Sequence, residues 1–156
     1  MTATEHLSSL VRSNSAWGAE QIANYLATAE QPLRLALQSG DAPLVIPLWF
    51  QFVEDAFYCA CSKHAKVVEL IRQAPLCGFD VSTNAMPYKG VRGQGAAEVL
   101  PEQGEPALQA LVERYLKNTN SGFAQWLLSR SADEVAIIIR PQWMTAWDFS
   151  ARMTAD

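Results

Sequence analysis

A proline stands inside the most apolar stretch of the chain. Leu44 to Phe52 is a nearly continuous apolar run, interrupted at Pro47. Such a run suits a strand buried on both sides. Proline has no N–H to give to a ladder, so this strand must lie at a sheet edge or be bulged there. The flanking residues are also strand-like. Leu33, Leu35 and Leu37 alternate with Arg34, Ala36 and Gln38, the pattern of a strand with one buried face. Ser39-Gly40-Asp41-Ala42-Pro43 is a turn cluster between the two. After a short turn at Val53-Glu54-Asp55, Ala56 to Cys61 reads as a third strand.

The remaining strands follow the same logic. Leu76 to Ser82 places Cys77, Phe79 and Val81 on one face, and Tyr88 to Leu100 is a long strand rich in small residues. Val135 to Ile139 is β-branched. Arg140-Pro141 interrupts it before a last strand, Gln142 to Phe149, with Trp143, Thr145, Trp147 and Phe149 on one face. Helical spacing predicts helices over Ala16 to Glu30 with Ser15 as N-cap, Ser62 to Ala74, Glu105 to Leu116, and Ser121 to Ser129. Pro32 and Pro75 close the first two. Most strand-to-strand connections are short, so the sheet should be mainly antiparallel. Strict βα alternation is missing, which disfavours a doubly wound fold. Glycines inside the strands favour a small closed or nearly closed barrel. The expectation is an α+β, mainly β, fold of about six to seven strands with peripheral helices.

Composition narrows the function classes. The 156 residues suit one domain, and 49% apolar against 18% charged residues excludes disorder, coiled coil and collagen for the chain as a whole. A net charge of −4 argues against a nucleic-acid partner, which needs a clustered Lys/Arg excess. No stretch approaches the roughly 20 apolar residues of a membrane span. Met1 to Arg12 lacks a basic region followed by an apolar one, so a cytoplasmic protein is expected. Cys59, Cys61 and Cys77 are odd in number, which points to reduced thiols. With His64 they suggest zinc, but the usual C-x(2–4)-C ligand pairs are missing, and buried free thiols with no metal are the better reading. There is no G-x-S-x-G and no H-E-x-x-H, and His6 falls in an N-terminus expected to fray, which argues against a hydrolytic triad.

Chemistry concentrates at the junction Tyr58-Cys59-Ala60-Cys61-Ser62-Lys63-His64-Ala65-Lys66. A helix N-terminus favours an anion, and lysines in its first turn oppose its dipole. Lys63, His64 and Lys66 crowd this turn, and the next carboxylate along the chain is Glu69. Helical register leans both ammoniums toward the inner side of the helix. A bound phosphate would explain the arrangement; a solvated basic turn is the alternative. In Gly90-Val91-Arg92-Gly93-Gln94-Gly95 the glycines lie within a strand, so this is not a dinucleotide fingerprint. Bends and close packing are the expected roles. Arg92 and Gln94 share a face and could reach a common ligand, a solvated strand face being the default. Trp49, Trp143 and Trp147 suit core packing or a planar ligand between strands.

Taken in order, these pieces resemble a known family. Pro47-Leu48-Trp49-Phe50, Phe57-Tyr58, Ser62 to Lys66 and Pro75 are similar to the pyridoxamine 5′-phosphate oxidase-like flavin-binding split barrel. So are Pro87 to Gly95, Glu113-Arg114-Tyr115-Leu116, Ile139-Arg140-Pro141 and Trp147 to Met153. The resemblance spans Pro32 to Met153, which suggests an N-terminal helical extension (1–31) and a flavin-binding split β-barrel domain (32–156). It implies a homodimer with FMN at the subunit interface, a small-molecule substrate and oxidoreductase chemistry carried by the flavin. The alternative is a protein that binds or senses a flavin, deazaflavin or haem without turnover. By resemblance Ile46, Pro47, Leu48 and Trp49 line the flavin ring, and Tyr58 and Cys59 lie beside the ring or ribityl chain. Ser62, Lys63 and Lys66 hold the phosphate, and Trp147 and Arg152 approach from the partner. Arg92 is added to the cofactor-binding candidates from its strand face. No catalytic side chain is assigned, since hydride transfer to the flavin needs no protein acid or base. Lys66 to Pro75 is one residue longer than in that family, and the C-terminal substrate-phosphate motif of the vitamin B6 oxidases is missing. The implied substrate is therefore not pyridoxamine phosphate.

Overall fold

The computed structural model describes residues 3–154; Met1 and Thr2 of the expected extension and Ala155 and Asp156 of the expected barrel domain lie outside them. The strands are β1 (Leu33–Ser39), β2 (Ala42–Leu48), β3 (Gln51–Val53), β4 (Ala56–Ser62), β5 (Leu76–Ser82), β6 (Lys89–Leu100) and β7 (Glu134–Asp148). They form one seven-stranded sheet in the order β2-β1-β5-β6-β7-β4-β3, with every ladder antiparallel. The helices are α1 (Ala3–Leu10), α2 (Ala19–Thr28), α3 (Lys66–Gln73), α4 (Gly104–Tyr115), α5 (Gly122–Leu128) and α6 (Ser150–Met153). None is long and apolar enough to cross a membrane among the described residues.

The two edge strands of this sheet are neighbours in the chain. Only Trp49 and Phe50 separate β2 from β3, yet five strands lie between them in the sheet. An extended chain spans at most about 3.6 Å per residue, so the sheet must curl until its edges nearly meet. The result is a split β-barrel, as the sequence led us to expect. Alternate residues fill its interior: Leu33, Leu35 and Leu37 from β1, Phe79 and Val81 from β5, Ile137 and Ile139 from β7, and Phe57 from β4. Burying each such side chain stabilises the fold by about 1.5–3 kcal/mol. α3 closes one end with Val67, Leu70 and Ile71, and α2 adds Ile22 and Leu26 to the same core. α4 and α5 form a second cluster outside β4, from Leu108, Val112 and Ala124.

Four expectations need correction. The apolar run does not become one strand buried on both sides. It breaks at Trp49, and β2 is largely exposed, with Leu44 and Val45 at 39% and 59%. Pro47 does lie on an edge strand, as its missing N–H requires. The helix expected from Ala16 begins at Ala19, because Ser15 is recruited by β7: its hydroxyl accepts the Ala146 N–H at 2.8 Å and donates to the Trp17 carbonyl at 2.7 Å. Arg140-Pro141 does not interrupt the last strand. Pro141 sits opposite Gly95 where the β6–β7 register shifts, and this bulge accommodates the proline within one 15-residue strand. Finally, His6 is not frayed; it lies in α1 with its Nδ1 2.9 Å from the Asp55 carboxylate.

The N-terminal segment is tied down along β7. Beyond Ile139, β7 has left β4, and the chain from Val11 to Ala16 takes that edge through a parallel bridge at Met144 and the Ala16 N–H to Ala146 carbonyl bond at 2.9 Å. Arg114 of α4 caps α2, donating to the carbonyls of Leu26, Ala27 and Ala29 at 2.8, 2.8 and 2.9 Å. Cations at a helix C-terminus satisfy orphan carbonyls and oppose the dipole favourably.

The glycines of β6 set how closely strands approach. A Cβ on Gly93 would strike the Trp143 carbonyl oxygen and the Phe79 ring, whereas one on Gly122, at the start of α5, meets nothing within 4 Å. Gly93→Ala is expected to lower the unfolding free energy by about 1–3 kcal/mol or more, the usual cost of overpacking. Gly122→Ala should leave it within about 0.5 kcal/mol. Urea denaturation of the two variants checks this.

Candidate functional site

β4 runs out at Ser62, and the chain turns through Lys63, His64 and Ala65 before α3 begins at Lys66. The helix therefore starts four residues later than its spacing predicts. The turn is closed by the Ala65 N–H to Ser62 carbonyl bond at 2.9 Å and by the His64 N–H to Ser62 Oγ bond at 3.3 Å. Ala65 is the N-cap and contributes no side-chain hydrogen bond. Alanine is among the poorest caps, and the first amides of a helix have no intrahelical partner. Partial positive charge thus accumulates where Lys63 and Lys66 already stand.

The two lysines do not lean inward. Lys63 Nζ lies 2.7 Å from the Asp133 carboxylate and Lys66 Nζ 2.9 Å from that of Glu69, all four side chains being exposed. The hydrogen bond and charge of Lys63 hold the Asp133 carboxyl below its usual range, and Lys66 does the same for Glu69. Asp133 arrives from a 3₁₀ turn (Ser131–Asp133) directly before β7, and the Lys63 N–H also donates to its carbonyl at 2.7 Å. No local pattern could have supplied this partner, which is 70 residues away. Exposed pairs of this kind are worth about 0–1 kcal/mol. An incoming dianion can therefore exchange for them at little cost.

Tyr58 and Cys59 part company, because neighbouring strand residues face opposite sides of a sheet. Tyr58 lines a cleft of about 360 Å³ together with Gln51, Glu54, Gln103, Pro106 and Ala107. Cys59 points into the barrel, fully buried, so its side chain cannot lie beside the same ring. Burial pushes the Cys61 thiol up to about 12 and the Cys77 thiol to about 11, and it raises Cys59 further. Among the described residues no group of three His, Cys, Asp or Glu side chains could hold a metal ion.

Of the expected ring-lining residues, Pro47 is exposed on the edge strand, Leu48 is buried, and Ile46 packs partly against the core. Trp49 is already stacked, its ring 4.9 Å from Tyr115 and 5° from parallel. Tyr115 was not among the expected residues. It also accepts the Phe50 N–H at 3.3 Å, so it clamps the link between β2 and β3.

Arg92, Trp147 and Arg152 form a separate patch. Arg92 and Gln94 share the exposed face of β6, and Gln94 Oε1 accepts the Trp143 indole N–H at 3.1 Å. Trp147 packs on Phe149 at 5.1 Å, and the Arg152 guanidinium lies 5.2 Å over the Phe149 ring. Tyr58 is paired with Ile138, and Trp147 is nine residues farther along β7. That is about 30 Å of strand. Along the sheet the two groups stand far apart.

The profile of a family described as pyridoxamine 5′-phosphate oxidase matches residues 19–141, so the likeness already starts in α2 and not at Pro32. No curated protein matches the chain significantly. Solved structures share the fold. A conserved hypothetical protein from Mycobacterium tuberculosis superposes with a TM-score of 0.76 over 93% of each chain at 17% identity. An F420 reductase gives 0.65 over 78% of this chain and 94% of its own, at 20% identity. An FAD-binding protein from Mycobacterium smegmatis gives 0.57 over 85% of this chain and 98% of its own, at 11% identity.

The thiol environment yields a direct prediction. The thiolate is the reactive form, and with pKa values near 11 and 12 it is scarce at pH 8 for Cys77 and Cys61. In native protein all three cysteines should resist a disulfide-exchange reagent at pH 8 on the minute scale, with three thiols titrating at once in denaturant. Rapid labelling of the folded protein would contradict the packing described.

Proposed function

The chain belongs to the pyridoxamine 5′-phosphate oxidase family, and on that premise we propose that it is a cytoplasmic flavin-binding oxidoreductase acting on a small molecule as a homodimer. FMN is the proposed cofactor, and it would supply the redox chemistry when bound. The observation that carries this reading is the start of α3. An uncapped helix N-terminus, two lysines held by exchangeable surface pairs and the Ser62 hydroxyl form a site whose donors all suit a phosphate. In this reading Lys66 and Lys63 bind the phosphate, and Ser62 donates its hydroxyl or N–H. The end of β2 and Tyr58 position the ring. Residues 32–156 form the flavin-binding domain, with 1–31 as an extension.

The second patch supports a dimeric site. Trp147 lies far along β7 from the end of β4, with Arg92 on the neighbouring stretch of β6 and Arg152 beyond in α6, and a second copy would bring its own set to the basic turn. β2 also favours a partner. Its apolar Leu44 and Val45 stay exposed, while Pro43 and Pro47 remove donors that would otherwise recruit a further strand. Contact through side chains, not strand addition, is what such an edge permits. The substrate is proposed to be a small molecule other than pyridoxamine phosphate. Reduction of the bound flavin by NAD(P)H, with turnover of a second substrate, separates this from a flavin-holding protein.

Two measurements test the reading. Lys66→Ala should weaken FMN by about 1.5–3 kcal/mol, the range for hydrogen bonds to charged groups, or roughly ten- to hundredfold in Kd. Riboflavin, which has no phosphate, should hardly change. Equal losses for both flavins would remove the phosphate role, and a loss at Lys63 alone would move it from the start of α3 to the preceding turn. Light scattering at micromolar concentration is expected to show a dimer; a stable monomer would refute the shared site.

A further inference from the structure

α6 is a helix without a core of its own. None of its residues is buried, and Arg152 stands exposed on it. The Arg152 guanidinium rests 5.2 Å over the Phe149 ring, and among the described residues no acceptor takes its N–H groups. A single helical turn is unfavourable in isolation, so its direction is set by the groups that hold it. Asp148 holds its start: one carboxylate oxygen accepts the Ser150 N–H at 2.9 Å and the Ser150 hydroxyl at 2.5 Å. Tyr88 holds both ends, its carbonyl accepting the Phe149 N–H at 3.0 Å and its own N–H reaching Met153 Sδ at 3.2 Å.

Asp148 is held in its turn from the N-terminal segment. Its second carboxylate oxygen accepts the indole N–H of Trp17 at 3.1 Å, across 131 residues of sequence. The Trp17 ring packs against Tyr25 of α2, with 5.1 Å between centroids and 53° between planes. The barrel fixes Tyr25: its hydroxyl donates to the Val81 carbonyl at 3.1 Å and accepts the Gln31 side-chain N–H at 2.8 Å. Ser15 ties the Trp17 carbonyl to β7 as described above. Trp17 is thus fixed by α2 and by β7, and its indole N–H passes that position to Asp148 and α6. The bonds from Ser150, and then that from Trp17, hold the Asp148 carboxyl below its usual range, and Lys89, opposite it on β6, adds to the effect.

We propose that Trp17 is a positioning residue of the flavin site: through Asp148 it sets α6, and with it the Arg152 guanidinium that α6 presents to the flavin of the partner subunit. The inference rests on the dimeric flavin reading above and gives the N-terminal extension a part in it. An indole N–H on a carboxylate is a charge-assisted bond, stronger than a neutral one and fixed in direction. Packing alone requires neither group, since a phenyl ring would cover Tyr25 as well. The contact also lies outside the stretch shared with the family: Trp17 precedes residues 19–141, and Asp148 and Arg152 follow them.

The test is FMN titration of the full-length protein, with light scattering, for wild type, Trp17→Phe, Arg152→Ala and the double variant. Trp17→Phe keeps a ring on Tyr25 and removes the indole N–H. It is expected to weaken FMN about fivefold, the equivalent of one ordinary hydrogen bond, and Arg152→Ala about tenfold. Because Trp17 acts through α6, the double variant should bind FMN as Arg152→Ala does, with no further loss. Asp148→Asn, which leaves one acceptor oxygen where two are used, should reproduce the Trp17→Phe loss. Losses that multiply in the double variant overturn the inference, as does FMN binding unmoved by Trp17→Phe, Arg152→Ala or Asp148→Asn; each leaves the Lys66 phosphate reading standing. A Trp17→Phe protein that runs as a monomer assigns the contact to assembly and also overturns it. Failure of wild type to bind FMN overturns both readings.

Discussion

The barrel is closed by two residues. β2 and β3 sit at opposite edges of the sheet, and the Trp49–Phe50 link must reach from one to the other. Each half of that link is fixed separately. The Phe50 ring is fully buried, 5.5 Å from Phe57, and Phe57 continues the aromatic cluster to Phe79 across the interior. The Trp49 ring stacks on Tyr115, whose hydroxyl accepts the Phe50 N–H. Arg114, next along α4, faces the Phe50 ring at 5.1 Å and caps α2. The end of α4 therefore joins the sheet edges to each other and the N-terminal helices to the barrel.

Closure also determines what can meet at the candidate site. Ser62 pairs with Glu134, so the last residue of β4 is beside the first of β7. Whatever precedes β7 is thereby delivered to the turn that precedes α3. This register, and not any local motif, sets Asp133 against Lys63. Running the other way along β7, the same register carries Trp147 far from Tyr58. The length of one strand thus divides the expected site residues into two groups.

Strand alternation was readable where it answered to a single buried face. Leu33, Leu35 and Leu37, and Cys77, Phe79 and Val81, all point inward as their spacing requires. The glycines of β6 are legible as strand residues, since their neighbours alternate. What failed was any inference from apolar content alone. The run from Leu44 to Phe52 is apolar because one part spans an exposed edge and another closes the barrel, two demands that leave the same composition. Helix starts were misplaced where tertiary hydrogen bonds took the capping residues, as at Ser15. Counter-charges supplied from far along the chain could not be read at all. The lysine turn looked short of acids because the sequence displays neighbours in one dimension and Asp133 is a neighbour only in three.

That last point bears on how the basic turn folds without a ligand. Lysines at a helix start oppose the dipole, and an alanine cap offers the first amides no side-chain acceptor, the Val68 N–H alone turning back to the Ala65 carbonyl at 3.0 Å. Left alone, this turn would be a local weakness. The Lys63–Asp133 and Lys66–Glu69 pairs offset it, and the depressed carboxyl groups keep both anions charged. The sign follows directly: a carboxyl lowered by its partner favours the fold above its unfolded value, and the contribution fades as pH falls through the folded one. Across neutral pH the turn is therefore held in shape by its own anions. Since those pairs are exposed, salt screens them and a multivalent anion can displace them. The turn can thus be preorganised and still exchange its counter-ions, and the physical requirement for binding a phosphate there is met by surface pairs weak enough to yield.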